Sequence, residues 1–421
     1  MRIKTAGMLL GLALLCTGCG QSIGEPNLNR HPAIDKSLYE PSDVNPAVVQ
    51  ASNDFGLALF EELYQVKPDQ NLFLSPISVS TALALLSQGA NGQTREELVT
   101  TLKLGGMTKE EIAAGYRSLL GLLGQSRKDG GVLRIANSLW LREGKAFDDG
   151  FLTSGQINYG AELERVDFAQ SRTLDAMNAW VAKSTEGHIP KMVEELDAEA
   201  AMYVLNAVYF SGAWTDPFQP GITQEGSFYT DETKSIRTSF MKRGGMFEYA
   251  EQEGFDMIRL TYGQEGDAYM AILLPERKPG AMERLVRKLA SKPELLTEAI
   301  GERRGSIELP KVKLSYEANL EEPLIRLGLQ EAFSPGNADF SGVAPEPPNL
   351  YISKVKHKST LEMNEEGTIA SAATEVEMLA GAAPPDNPFR MVVDRPFVTA
   401  IVDRATGCLL FAGIVNDPEA D

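Results

Sequence analysis

Residues 365–385 read EEGTIASAATEVEMLAGAAPP, a connection too long for an ordinary turn between two elements. Connections of this length are usually functional or disordered. The first half alternates with period two, as a strand does when one side is buried and the other is wet. One face would carry small or uncharged side chains: Thr368, Ala370, Ala372, Thr374 and Val376. The other would carry Ile369, Ser371, Ala373, Glu375 and Glu377. The segment is therefore compatible with two states, an exposed loop and an inserted strand.

Around this segment, helical patterns occupy the first third of the chain and strand patterns the remainder. Helix starts are predicted at Asn45-Pro46 and Ser75-Pro76, and a capping box at residues 94–97 predicts a third. Two hairpins are predicted, one joining residues 259–262 to 268–274 and one joining 397–403 to 409–415. No repeat and no linker divides residues 46–418, which favours a single α+β domain.

Composition excludes several classes of function. The 421 residues contain 40 Lys and Arg against 58 Asp and Glu, a net charge of −18, so nucleic acid and heparin-like polyanions are poor partners. Only three histidines are present, His31, His188 and His357, which strongly disfavours a multi-histidine metal site. No GxSxG, HExxH, Walker A or CxxC motif occurs. We therefore expect neither an enzyme, nor a metal, nor a cofactor.

The N-terminus is predicted to be an export signal. A short positive end, Met1-Arg2-Ile3-Lys4, precedes an apolar stretch at residues 8–15 that is too short to span a bilayer. Thr17-Gly18-Cys19-Gly20 resembles a bacterial lipobox, although Cys16 stands where Leu is commoner. We expect residues 1–18 to be removed, Cys19 to be acylated, and residues 19–47 to form a flexible tether. The alternative is an ordinary secretory signal with a nearby cleavage site; either way the protein is expected to be exported.

Several blocks of sequence carry a resemblance to a known family. They are NLFLSPIS at 71–78, NAWV at 178–181, LNAVYF at 205–210, Trp214, LPKV at 309–312, Glu365-Glu366-Gly367-Thr368 with the run Ala370 to Ala373, and DRPFV at 394–398. With these blocks in this order, residues 48–418 resemble the serpin family, with a reactive-centre loop at about 365–390, and the segment from Glu365 to Ala373 is similar to the hinge of inhibitory serpins. His188 departs from the pattern, because Lys is usual there, and Thr399 is a mild departure toward polarity.

The resemblance implies a serpin fold, with three β-sheets, eight or nine helices and an exposed loop. It also implies a suicide-type inhibitor: a serine protease, or in some cases a cysteine protease, attacks the loop and forms an acyl-enzyme. The freed loop then inserts into the main sheet and carries the protease away. The expected partner is this protease, the expected state is a monomer, and a membrane is expected only through the lipid anchor.

The resemblance also assigns roles to individual residues. Gly367 permits the hinge to bend and Thr368 begins the insertion; Glu365, Glu366, Ala370, Ala372 and Ala373 complete the hinge. Ser75, Ser78, Asn206 and His357 match positions beneath the sheet whose hydrogen bonds control its opening. By residue type alone His357 is a structural or solvated histidine; the resemblance implies that it is buried and hydrogen-bonded. Trp214 matches the residue that packs where insertion begins.

The cleaved bond is left open within residues 378–383. The family's usual interval from Glu365 gives Gly381-Ala382, but the loop is about four residues longer than in familiar relatives. Ala380, Gly381 and Ala382 suit the shallow pocket of an elastase- or subtilisin-like enzyme, whereas Met378 or Leu379 suit a chymotrypsin-like one. No Arg or Lys lies between Gly367 and Phe389, which disfavours a trypsin-like target. We favour small-residue specificity.

Three alternatives remain at this point. A non-inhibitory serpin would bind or carry a ligand, but such relatives often place charged, bulky or Pro residues in the hinge. A passive substrate would be cleaved without trapping, which a longer loop favours because slow insertion lets the acyl-enzyme hydrolyse. A lipid-anchored hydrolase is disfavoured by the missing motifs.

Overall fold

The computed structural model describes residues 39–125, 132–144, 146–231, 233–345, 350–368 and 387–420. Cys19, Ala370, Ala372, Ala373 and the predicted cleavage region 378–383 lie outside these ranges. Tyr39 and Val44 pack with the folded part: the Tyr39 ring lies against Gly121, and Val44 is buried. Residues 39–47 therefore belong to the folded part together with the predicted 48–418.

Eight α-helices are present in the described part of the chain. They are α1 (Pro46–Val66), α2 (Pro76–Gly89), α3 (Gly92–Thr101), α4 (Lys109–Leu123), α5 (Asp149–Tyr159), α6 (Ser171–Ser184), α7 (Ala281–Ser291) and α8 (Glu321–Arg326). The predicted start of α1 is confirmed: Asn45 caps it by accepting a hydrogen bond from the Ala47 amide at 3.0 Å. Helix α2 is buried on nearly every side, as its all-round apolar sequence requires.

The predicted capping box at residues 94–97 is wrong. The N-cap of helix α3 is Asn91, three residues before Thr94, and tertiary contacts occupy the side chains of Thr94 and Glu97. The Thr94 hydroxyl accepts a hydrogen bond from the Asp339 amide at 2.9 Å, while the Glu97 carboxylate accepts from the amides of Gln330 and Glu331. These distant partners cannot be read from a local motif.

Fifteen strands are described. They are β1 (Leu72–Leu74), β2 (Val132–Arg142), β3 (Glu162–Val166), β4 (Met202–Ala213), β5 (Gln224–Tyr229), β6 (Ser235–Gln252), β7 (Phe255–Tyr262), β8 (Ala268–Pro275), β9 (Glu302–Pro310), β10 (Val312–Asn319), β11 (Lys354–Met363), β12 (Gly367–Thr368), β13 (Phe389–Val392), β14 (Phe397–Asp403) and β15 (Leu409–Val415). Both predicted hairpins are confirmed as the antiparallel pairs β7–β8 and β14–β15.

The described strands form two hydrogen-bonded sheets where the resemblance implies three, because the long strand β6 joins two groups of strands into one nine-stranded sheet. The main sheet has the order β10-β11-β12-β4-β2-β3. Strand β6 pairs with β5 and β9 over residues 235–248, and β13 extends this part of the sheet beyond β9. The last residues of β6 pair with β7, which continues through β8, β14 and β15 to β1.

The main sheet is covered on both faces. Alternate residues of β11, among them His357, Ser359 and Leu361, are buried against the principal core, which includes β14, β15 and α2. On the opposite face, helix α6 and the segment after it pack Met177 and Trp180 against the β4 side chains Tyr203 and Leu205. Polar residues of β4 and β11 that point to the principal core are therefore fully desolvated.

Candidate functional site: the seam between β4 and β11

The candidate site is the seam between β4 and β11. At one end these strands pair directly and in parallel, from Tyr203–Lys354 to Val208–Ser359. At the other end β12 lies between them and is antiparallel to both: Thr368 is opposite Gly212 of β4 and opposite Met363 of β11. The hinge residues Gly367 and Thr368 thus already occupy a strand position, while the rest of the seam is closed.

Gly367 is required here by the close approach of two backbones. A Cβ atom at this position would lie 2.1 Å from the Gly212 carbonyl oxygen and 2.8 Å from the Ala213 Cα. Since real Cβ atoms do not approach backbone so closely, any larger residue would push β12 away from β4. The glycine predicted to let the hinge bend also lets it enter the sheet.

Thr368 is buried and its side chain points into the core. Its hydroxyl lies 2.6 Å from the hydroxyl of Tyr262 on β7. Burial raises the pKa of Tyr262 far above its ordinary value, so the phenol stays protonated and available for hydrogen bonding. A charged side chain in place of Thr368 would lose its hydration in the core beside this phenol, which is costly.

Trp214 closes the entrance of the seam. Its indole Nε1 donates to the Asn364 carbonyl and its backbone amide donates to the Glu366 carbonyl, both at 2.9 Å. The indole stacks on Tyr262 with ring centroids 4.5 Å apart. One residue thus holds both the turn before β12 and the phenol that Thr368 contacts.

Glu365 fixes the turn that leads into β12. Its carboxylate pairs with the Lys311 ammonium at 2.9 Å and accepts a hydrogen bond from the Thr223 hydroxyl at 2.7 Å. Burial alone would raise the pKa of this carboxyl, but Lys311 and Thr223 outweigh it and lower the pKa below its ordinary value. The Asn364 side chain accepts from the amides of Glu366 and Gly367 and completes the turn.

A buried polar cluster lies at the other end of the seam, where β4 and β11 pair directly. His357 is fully buried, and its Nδ1 lies 2.5 Å from the Asn206 Oδ1, directly across the strands. Its Nε2 accepts a hydrogen bond from the Ser75 amide at 3.3 Å, so the proton is on Nδ1. The Asn206 Nδ2 in turn contacts Ser78 and, at 2.5 Å, the Asn137 Oδ1.

The four residues predicted to control opening of the sheet, Ser75, Ser78, Asn206 and His357, are thus brought together by the structure. Ser75 takes part through its backbone amide rather than its hydroxyl. Within the described residues, the Ser75 hydroxyl and the Asn137 Nδ2 are buried without a hydrogen-bond partner. Each such atom costs roughly 1–3 kcal/mol. The closed seam is therefore incompletely satisfied.

Sequence reasoning missed Asn137, Tyr262, Lys311 and Thr223, which contact the predicted residues. They come from four separate segments. Two carry a signal in the sequence: Lys311 lies in the LPKV block at 309–312, and Asn137 is a polar residue within the apolar part of β2. The local sequence of Tyr262 and Thr223 gives no such signal.

A family model described as serpin (serine protease inhibitor) matches residues 50–418. The chain belongs to the serpin family. This serpin is 33% identical over 387 residues to a leukocyte elastase inhibitor of Equus caballus, covering 87% of this chain and 98% of that protein. It is similar in structure to the native state of the thermophilic serpin tengpin (TM-score 0.81, 27% identity, 92% and 99% of the chains). It is also similar to human thyroxine-binding globulin in complex with its ligand (TM-score 0.80, 28% identity, 88% and 98%).

The family consists mostly of protease inhibitors, commonly extracellular, although thyroxine-binding globulin shows that its fold also serves ligand binding. In the part of this serpin that the structure describes, no helix is both long enough and apolar enough to cross a membrane.

We expect the stability of this serpin to fall as pH is lowered, because of His357. Complete burial lowers the pKa of His357 from 6.5 to about 3, so the unfolded chain binds more protons than the folded one between these values. The free energy of unfolding should drop by about 2 kcal/mol between pH 8 and pH 5 from this residue. Denaturant unfolding of wild type and His357→Gln at both pH values measures the difference.

His188→Gln is the control for loss of an imidazole, because His188 is exposed and stacks on Tyr209. It should keep the wild-type dependence on pH. If His357→Gln keeps that dependence as well, the buried neutral histidine is not its source.

Proposed function

We propose that this serpin inhibits a protease by suicide-substrate trapping, with its reactive loop inserting along the seam. The observation that carries this proposal is that β12 already lies between β4 and β11 and pairs with both. Continuing this antiparallel register would place residues 369–377 along the whole of the seam. The one direct ladder between β4 and β11 would then be replaced by two ladders.

Insertion in this register would bring Thr374 to the level of Asn206 on one side and His357 on the other. Thr374 would lie on the same face of the strand as Thr368, whose side chain is buried in the core. A hydroxyl there would meet the polar cluster that holds the unsatisfied Ser75 and Asn137 atoms. The inserted state would therefore gain backbone hydrogen bonds and could relieve buried polar groups, which gives insertion a driving force.

The outward face of the loop is also complementary to β11. In the same register Glu375 would lie beside Lys356 and Glu377 beside Lys354. The Lys356 ammonium is 3.1 Å from Glu317, and it reaches the Met192 carbonyl of the segment after α6. Opposite charges on neighbouring strands favour pairing, so the loop glutamates support this register.

We propose an elastase- or subtilisin-like protease with a shallow pocket as the target, with cleavage after Gly381 or a neighbour within 378–383. The small residues at 380–383 support this, and a relative is named as an inhibitor of leukocyte elastase. Fifteen residues from Gly367 to Gly381 would span roughly 50 Å as an inserted strand. A displacement of that size is sufficient to distort a protease acylated at its end. One chain supplies both loop and sheet, so we propose a monomer.

We expect Thr368→Arg to convert the inhibitor into a substrate. Arginine would have to enter the core beside Tyr262, where burying an unpaired charge costs several kcal/mol. Incubation with subtilisin, elastase and chymotrypsin, followed by denaturing gels, should show an SDS-stable complex for wild type and only cleaved inhibitor for the variant. Sequencing the released fragment identifies the cleaved bond.

Ile369→Arg is the matched control, because the next residue along the strand points to the opposite face. It should retain complex formation. Normal trapping by Thr368→Arg would contradict insertion, and equal loss in both variants would contradict the assignment of faces. Clean cleavage of wild type by every protease, without a complex, would instead favour a passive substrate.

We further propose that the protein is exported and anchored to the bacterial envelope through Cys19, where it would protect the cell surface from proteases. The lipobox-like Thr17-Gly18-Cys19-Gly20 supports this. Cells grown with a fatty-acid analogue should label wild type but not Cys19→Ala. Label on the variant would contradict lipidation at Cys19, and wild type found wholly in the cytosol would contradict export.

A further inference from the structure

The reactive loop joins the folded part at two roots, one at each of its ends. The first root is the turn before β12, where the Phe218 amide donates to the Glu365 carbonyl at 2.9 Å, beside the bond from Trp214 described above. The second root is β13, which begins at Phe389 and pairs in parallel with β9. Because β12 belongs to the six-stranded sheet and β13 to the nine-stranded one, the two roots are held by different sheets.

The side chain of the second root reaches across β9 to β6. The Phe389 ring stacks on Tyr249 with centroids 3.8 Å apart and meets Phe247 edge-on at 5.8 Å. The space for it exists because Gly305 of β9 lies opposite Gly245 of β6. A Cβ atom at Gly305 would lie 2.3 Å from the Phe389 ring. Glycine inside a strand often marks such a close approach, and here the second root occupies the space.

Arg243 of β6 lies between the two roots. Its guanidinium carbon is 4.5 Å from the centroid of the Phe247 ring and 5.8 Å from that of the Phe218 ring. The guanidinium also donates to the Asp216 carbonyl and lies 3.8 Å from the Asp216 carboxylate. Since only 13% of the side chain is exposed, water screens these cation–π contacts little. One side chain thus contacts the segment that holds the first root and a ring that packs on the second.

These side chains form one continuous line of contacts between the roots, which we call the Arg243 path. Its first two rings meet edge-on at 6.2 Å. A buried guanidinium is tolerated only while its partners compensate for lost hydration, so moving either root would take a ring or a hydrogen bond away from it. Coupling through such packed contacts is reciprocal. The Arg243 path consists of Trp214, Phe218, Arg243, Phe247 and Phe389.

We propose that Arg243 is a positioning residue that couples the two roots of the reactive loop and thereby fixes how the loop is presented. The coupling itself follows from the contacts within this chain. Its effect on the encounter with a protease rests on the proposed inhibitory function.

A double-mutant cycle followed by hydrogen–deuterium exchange of single amides tests the coupling. Arg303→Met loosens the second root from outside the path, because Arg303 lies over Tyr249 and Phe389 at 5.1 and 6.0 Å. Exchange in β13 should become about threefold faster. With Arg243 present, the Trp214 and Phe218 amides should also exchange faster. With Arg243→Met in the background, adding Arg303→Met should affect β13 alone.

The outcomes separate coupling from local loosening. If Arg303→Met leaves the first root unchanged in both backgrounds, the roots are not coupled. If it loosens the first root equally in both, the coupling does not run through Arg243. Arg243→Lys keeps the charge without the planar guanidinium and serves as the background if the methionine variant does not fold. Arg237→Met, an exposed change elsewhere on β6, should leave both roots as in wild type.

The effect on the loop is measured separately, with the protease that is trapped best in the denaturing-gel assay. Arg243→Met should form the SDS-stable complex about tenfold more slowly than wild type, because a misplaced loop meets the protease in the wrong geometry. Formation at the wild-type rate would show that Arg243 does not position the loop. If the exchange results hold but wild type traps no protease, the coupling stands and the inhibitory function fails.

Discussion

The backbone of β4 can pair along the seam with only one neighbour on its β11 side. In this structure that neighbour is β11 itself over six residues of each strand, and β12 at the remaining end. A strand between them would satisfy both edges at once. The sheet is therefore closed by a parallel ladder that an antiparallel strand from the same chain could replace, and the remaining features of the site concern how that replacement begins.

The residues at the two levels of the seam have different chemistry for this reason. At the entrance, glycine, threonine and the Trp214–Tyr262 stack allow an uncharged strand to enter, while the Glu365–Lys311 pair fixes where the turn begins. Where β4 and β11 pair directly, a hydrogen bond between the side chains of Asn206 and His357 joins the two strands. The Ser75 hydroxyl and the Asn137 Nδ2 are buried beside it without hydrogen-bond partners among the described residues. A fully apolar seam would close more tightly and open less readily.

The sequence predicted those parts of the fold and site that depend on local pattern. The Asn45 cap, the buried helix α2 and both hairpins follow from periodicity and turn residues. The hinge residues were recognisable because the alternation over 368–377 is typical of a strand with one buried and one exposed face. The partners of those residues could not be predicted: Lys311, Thr223 and Tyr262 reach Glu365 and Thr368 only through the strand order. The prediction of a helix cap at Thr94 failed for a similar reason. The side chains of Thr94 and Glu97 accept hydrogen bonds from backbone amides of residues 330–339, which are distant in sequence, and not from the start of their own helix.

The proposed mechanism requires the reactive loop to be more stable as a strand in the seam than as an exposed loop. Cleaving the loop once with a protease that is not trapped, and then measuring thermal unfolding of the intact and nicked proteins side by side, tests this most directly. The nicked protein should unfold at a markedly higher temperature, since the released segment can add its strand to the main sheet. A nicked protein that melts at or below the temperature of the intact one would contradict it.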